Sequence, residues 1–104
     1  TSFLMVLFFS VHTFAAGTHL TEAIQHAEAA VKSAEGKSIA QHAEEAKTHA
    51  NAAKNEKTQA TTSGSHLDAG IRSLDEAIKE GNLGAIDSAR KAAEQAITHL
   101  KQAA

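Results

Sequence analysis

HLTEAIQHAEAAVK, residues 19–32, recurs in outline as HLDAGIRSLDEAIK, residues 66–79. In the first copy Leu20, Ile24, Ala27, Val31 and then Ala34 alternate in steps of four and three, the spacing of one face of an α-helix. The second copy carries Leu67, Ile71, Leu74 and Ile78 in the same phase. Another pair of segments is related in the same way: AEEAKTH ends at His49 and AEQAITH ends at His99. Each half of the chain therefore holds two helices, and the halves look like duplicated hairpins. Short turns between amphipathic helices favour antiparallel neighbours. The predicted fold is all-α, an up-down-up-down four-helix bundle made of two similar helical hairpins.

Turn chemistry suggests the boundaries. Gly36 reads as the stop of the first helix. Ser38 with Gln41 reads as a capping box opening the second, whose core stripe is Ile39, Ala43, Ala46, Ala50 and Ala53. The stretch TTSGS, Thr61 to Ser65, reads as the linker between hairpins. Ser65 with Asp68 is expected to cap the third helix, Gly81 to stop it, and Asn82 to cap the fourth, whose stripe is Leu83, Ile86, Ala89, Ala93, Ala96 or Ile97, and Leu100. Beyond residue 16 the chain has about a dozen Leu, Ile and Val residues, so the core is thin. The second helix is the weakest, because its stripe after Ile39 is all alanine, and it is expected to fray without bound metal.

The first sixteen residues, TSFLMVLFFSVHTFAA, differ in kind. They hold all four phenylalanines and no Asp, Glu, Lys or Arg. A short apolar run ending in small residues fits the hydrophobic part of a secretory signal peptide, here N-terminally truncated; a membrane span needs about 20 apolar residues. Residues 1–16 are thus expected to be a signal segment and 17–104 the four-helix bundle domain. Cleavage after Ala15 is the better fit. Cleavage after Ala16 would leave Gly17-Thr18-His19 as an amino terminus able to offer Cu(II) or Ni(II) a square plane of nitrogens. Export implies the bacterial periplasm or the outside of the cell, with the periplasm expected and no stable membrane insertion after cleavage. The 104 residues include no cysteine and carry a formal net charge of -2, which excludes disulfides and thiolate sites and does not suit a nucleic-acid binder.

Chemistry concentrates in a motif that occurs twice, His-x-x-Glu-x-x-x-His, as His19, Glu22, His26 and as His42, Glu45, His49. Positions i, i+3 and i+7 share a helix face, so each copy is a stripe of imidazole, carboxylate and imidazole, the donors that suit divalent transition metals. Histidines seven apart on a helix are roughly 10 Å apart along its axis, too far to share an ion, so a second helix must complete any site. In an antiparallel hairpin turning at Glu35 to Lys37, Glu22 falls level with His49 and His26 with Glu45. A shared groove would gather Glu22, His26, Glu45 and His49, with His19 and His42 extending it. In the second hairpin only the outer histidines, His66 and His99, remain, at similar heights. They are candidate ligands of a weak site at most.

Catalytic readings find little to rest on. No glutamate has a histidine three residues later, as di-iron bundles require, and the zinc-protease signature is absent. The chain is therefore expected not to be an enzyme. The competing reading is a non-catalytic structural or protein-interaction bundle whose histidines are simply solvated.

The units His26-Ala-Glu-Ala-Ala-Val-Lys, His42-Ala-Glu-Glu-Ala-Lys-Thr-His49 and Leu74-Asp-Glu-Ala-Ile-Lys resemble the small metal-binding protein family of ammonia-oxidising bacteria, over residues 17 to 104. The resemblance implies a periplasmic four-helix bundle that binds several divalent ions, notably copper and nickel, and buffers them. That family is richer in histidine; here Ser33, Ser73 and Ala92 stand where further ligands would be expected, so one or two sites are anticipated. Ligand type and the affinity order put Cu(2+) first, with Ni(2+) and Zn(2+) weaker. Divalent metal ions are the expected partners of a monomer.

Overall fold

The computed structural model describes residues 18–56 and 61–104. The expected signal segment, 1–16, and Gly17 of the expected N-terminal copper site lie outside them. Four helices follow in order: α1, Thr18–Lys32; α2, Gly36–Lys54; α3, Thr61–Asn82; α4, Ile86–Ala103. No strand occurs among the described residues. Each helix packs on its sequence neighbour, and α4 closes the ring against α1. Ion pairs mark the antiparallel order: Lys47 with Asp75 and Lys54 with Asp68, each 2.6 Å, join α2 to α3, and Glu28 meets Lys101 across α1 and α4 at 3.8 Å. This is the predicted all-α four-helix bundle.

The core is built of alanine. Only Ile39, Leu67, Leu74 and Leu100 are large and fully buried; the other buried hydrophobics are alanines, and no buried residue is polar or charged among the described ones. The α2 stripe, Ile39, Ala43, Ala46, Ala50 and Ala53, is wholly buried as read from its spacing. On α1 the seam is displaced. Ala23, Ala27 and Ala30 are fully buried, Leu20, Ile24 and Val31 flank them half-buried, and Ala34 is exposed. Helices that approach closely put their smallest side chains at the contact and leave larger ones to cover its margins.

The helix ends depart from expectation in three places. First, Gly36 does not stop α1 but opens α2. Glu35, in extended conformation (φ -115, ψ 144), is the N-cap and makes no side-chain cap, while its carbonyl accepts from Ile39 N at 3.0 Å. Ser38 and Gln41 therefore sit inside the helix rather than forming a capping box. The cause is tertiary: Gly36 packs directly on the backbone of Gly81, where a Cβ would collide with the Gly81 carbonyl. Second, Thr61 to Ser65 form the first residues of α3 instead of a linker, so Ser65 and Asp68 cap nothing. Once Leu67 and Leu74 anchor the helix in the core, each residue added upstream gains a hydrogen bond without a new nucleation cost. Third, α3 runs past Gly81. It closes in a Schellman turn around Gly84 (φ 83), with Ala85 N donating to Glu80 O at 2.9 Å and Gly84 N to Gly81 O at 3.0 Å. Ala85, not Asn82, precedes α4, and Leu83 is left 72% exposed rather than in the core.

Two further contacts secure the α1–α2 turn. Ser33 Oγ donates to Ala29 O at 2.9 Å. From α4, Arg90 Nε donates to Val31 O at 2.9 Å and its terminal nitrogen to Ser33 O at 2.8 Å. A cation at the carbonyl end of a helix satisfies open acceptors and complements the helix dipole.

A helix that buries little but alanine owes its order to its neighbours. In the metal-free protein, backbone amides of α2 are expected to exchange faster than those of α3, which holds Leu67 and Leu74. Equal protection of the two helices in a hydrogen-exchange experiment would contradict this.

Candidate metal centre

The α1–α2 seam decides where the histidines go. Because Ala23, Ala27 and Ala30 turn inward on α1 and Ala43, Ala46 and Ala50 on α2, the His-Glu-His stripe of each helix lies beside the seam, and the two stripes meet over one groove. The pairings expected from the hairpin are present. Glu22 Oε1 lies 3.0 Å from His49 Nδ1, and Glu45 Oε1 lies 3.1 Å from His26 Nδ1.

The six side chains divide into two groups of three. One is His19, Glu22 and His49; the other is His26, His42 and Glu45, and within each the donor atoms all lie within 4.8 Å of one another. His19 and His42 are thus full members, where the sequence had them extending a single four-ligand site. In the first group His19 Nδ1 and His49 Nδ1 are 3.4 Å apart. In the second Glu45 Oε1 is also 3.5 Å from His42 Nδ1. The constant sequence offset between the motif copies carries the residues of one group onto those of the other.

The imidazoles form a ladder whose rungs alternate between helices. Ring centroids are 5.6 Å apart for His19 and His49, 5.3 Å for His49 and His26, and 6.4 Å for His26 and His42. The central pair is nearly parallel at 4°.

Two ligands each about 2 Å from an ion are about 3 Å apart at tetrahedral or square-planar angles. The separations of 3.0 and 3.4 Å in the first group and 3.1 and 3.5 Å in the second are near that value, and no donor pair in either group exceeds 4.8 Å. His42 Nδ1 is buried and lacks a hydrogen-bond partner, an arrangement that costs free energy until something engages the nitrogen. A groove along α2 lined by Gln41, His42, Glu44, Glu45 and Thr48 opens the second group to solvent. By sequence Gln41 is assigned to a capping box and Glu44 and Thr48 to no role; the i, i+3, i+4 and i+7 spacing of Gln41, Glu44, Glu45 and Thr48 is the available signal.

His66 and His99 join neither group. The shallow groove beside His99 is lined by Ala69, Arg72, Ser73, Glu76 and Gln95, without His66, and Arg72 adds a permanent cation to its wall. Ala92 is buried at 4% exposure in the core, so it does not occupy a vacant ligand position.

The family profile described as small metal-binding protein matches residues 1–103. The chain belongs to the small metal-binding protein family. That membership supports metal binding, the property the family is described by, and the two His/Glu groups are the candidate ligands. A search of curated proteins finds no match.

Burial holds His26 below the usual histidine range; the Glu45 carboxylate opposes this, while the neighbouring His49 and His42 add to it. The ring is therefore neutral at pH 7, with its lone pair free for a metal. The sign for stability follows. A histidine whose pKa is depressed on folding contributes full stability above its unfolded value of about 6.5, and loses it as pH falls through the lower folded value. The metal-free protein is expected to weaken as pH drops below about 6.5, with His26→Gln flattening the dependence; denaturant melts at pH 7.5 and 5 measure this.

Proposed function

We propose that the protein captures and buffers divalent transition-metal ions in the periplasm, through the His/Glu groups of α1 and α2, and does so without catalysis. The observation that carries the proposal is the meeting of two helical His-Glu-His stripes over one groove, with three donors in each group within 4.8 Å. Imidazole and carboxylate donors and the affinity order of divalent ions support Cu(II) as the tightest cargo, followed by Ni(II) and Zn(II). The apolar first sixteen residues support export. No described helix is long and apolar enough to cross a membrane.

Metal that binds only the folded chain stabilises it by about 2.7 kcal/mol at a free concentration 100 times Kd. For a domain of this size that corresponds to a rise in Tm of roughly 10–20 °C. The test is a thermal melt at neutral pH with excess Cu(II), reversed by a chelator. An unchanged Tm would discard the proposal in favour of a structural or interaction bundle with solvated histidines.

A further inference from the structure

The two ligand groups have the same make-up, two histidines and one glutamate, yet their donors are not equally gathered. In the group nearer the α1–α2 turn, one carboxylate oxygen, Glu45 Oε1, already reaches both rings, His26 Nδ1 at 3.1 Å and His42 Nδ1 at 3.5 Å. It joins donors of both helices. His42 Nδ1 is sealed from solvent without a hydrogen bond, so an ion engaging it removes an existing penalty. The adjoining turn is held by the Arg90 contacts to Val31 O and Ser33 O.

The other group starts from a different state. Glu22 reaches only His49, at 3.0 Å. His19 Nδ1 faces His49 Nδ1 at 3.4 Å, but no carboxylate oxygen joins these two rings as Glu45 Oε1 joins His26 and His42. The two groups also touch, through the stacked rings of His26 and His49 at 5.3 Å. An ion held by His26 places positive charge beside a ligand of the second group, and like charges at such range repel.

We infer that the hairpin fills in order, taking a first ion at His26, His42 and Glu45 and a second at His19, Glu22 and His49, so that it works as one tight store and one labile exchange position. The inference rests on the metal-binding reading above. The second step is expected to be about tenfold weaker, the factor that accompanies ordering one further side chain.

Zn(II), which is diamagnetic, tests the order in the intact protein. Long-range proton–nitrogen NMR spectra of the imidazoles follow each ring during a titration. The expected result is that His26 and His42 complete their change by the first equivalent and His19 and His49 move between the first and second. His42→Ala abolishes the tight step, whereas His19→Ala leaves it within about twofold; circular dichroism confirms that each variant is folded. Four rings moving in parallel, or His19 and His49 moving first, overturns the order and leaves metal binding intact. No response from any of the four rings overturns the metal-binding reading, and the order with it.

Discussion

Replacing His26 and His49 together with alanine is expected to remove nearly all metal binding, whereas replacing His66 and His99 together changes it less than about threefold. His26 and His49 form the central ring pair of the hairpin, and each belongs to a different ligand group. One double substitution therefore takes a donor from both groups at once and leaves two-ligand remnants. Loss of an outer partner alone commonly lowers metal affinity 10–100-fold, so loss of a direct ligand should cost at least about 100-fold at each group. The change should not unfold the protein, because both side chains are partly exposed and border the alanine seam without filling it. A Cu(II) titration by calorimetry, with the far-ultraviolet spectrum as a check of helicity, measures the outcome. If the His66 and His99 variant is the one that loses binding, the first hairpin is the wrong assignment.

The second large effect is on stability, and its sign is opposite to what helix propensity suggests. Gly81 lies within α3, where alanine is intrinsically better by about 1 kcal/mol. Yet a Cβ there would stand 2.5 Å from the carbonyl oxygen of Gly36 and 3.1 Å from Ala40 N. Those neighbours are backbone, so relief requires α2 and α3 to move apart at their crossing. Gly81→Ala is expected to destabilise by about 1–3 kcal/mol, a large share of what a core with four fully buried large side chains can supply. Gly64→Ala is the matched control. It lies in the same helix, nothing stands within 4 Å of its added Cβ, and it should stabilise by about 0.5–1 kcal/mol. Urea melts of the two variants separate the steric term from propensity. If Gly81→Ala is as stable as Gly64→Ala, the close crossing is not what holds Gly36 and Gly81 in place.

The same crossing explains where sequence reading succeeded and where it did not. Helix number, antiparallel order and the α2 stripe from Ile39 to Ala53 are carried by periodicity, which each helix displays by itself. The pairing of Glu22 with His49 and of His26 with Glu45 follows from a hairpin turn and equal rise per residue. The helix ends are another matter. Gly36 and Gly81 carry the composition of helix stops, but their use is to let two backbones touch, and only the tertiary contact distinguishes these roles. Ser38, Ser65 and Asn82 are good caps by type and sit elsewhere because that contact and the Gly84 turn set the boundaries. On α1 the larger Leu20, Ile24 and Val31 drew the predicted stripe toward themselves, although alanines make the seam. The grouping of ligands into two threes was hidden for a related reason. A stripe on one helix states which donors share a face, while their partners depend on how the second helix is rotated about its axis.

The alanine seam between α1 and α2 has a consequence beyond economy of volume. Helix axes come no nearer than about 8 Å, and bulkier contact residues push them toward 10 Å. Donors rooted on opposite rods must bridge that gap with side chains of fixed length, so the girth of the residues at Ala23, Ala27, Ala46 and Ala50 is the caliper that decides whether an ion can be gripped from both sides. Interior methyl groups with no polar atom among them would then tune affinity as effectively as the imidazoles themselves, and a lineage could retire its site by growing one leucine underneath it.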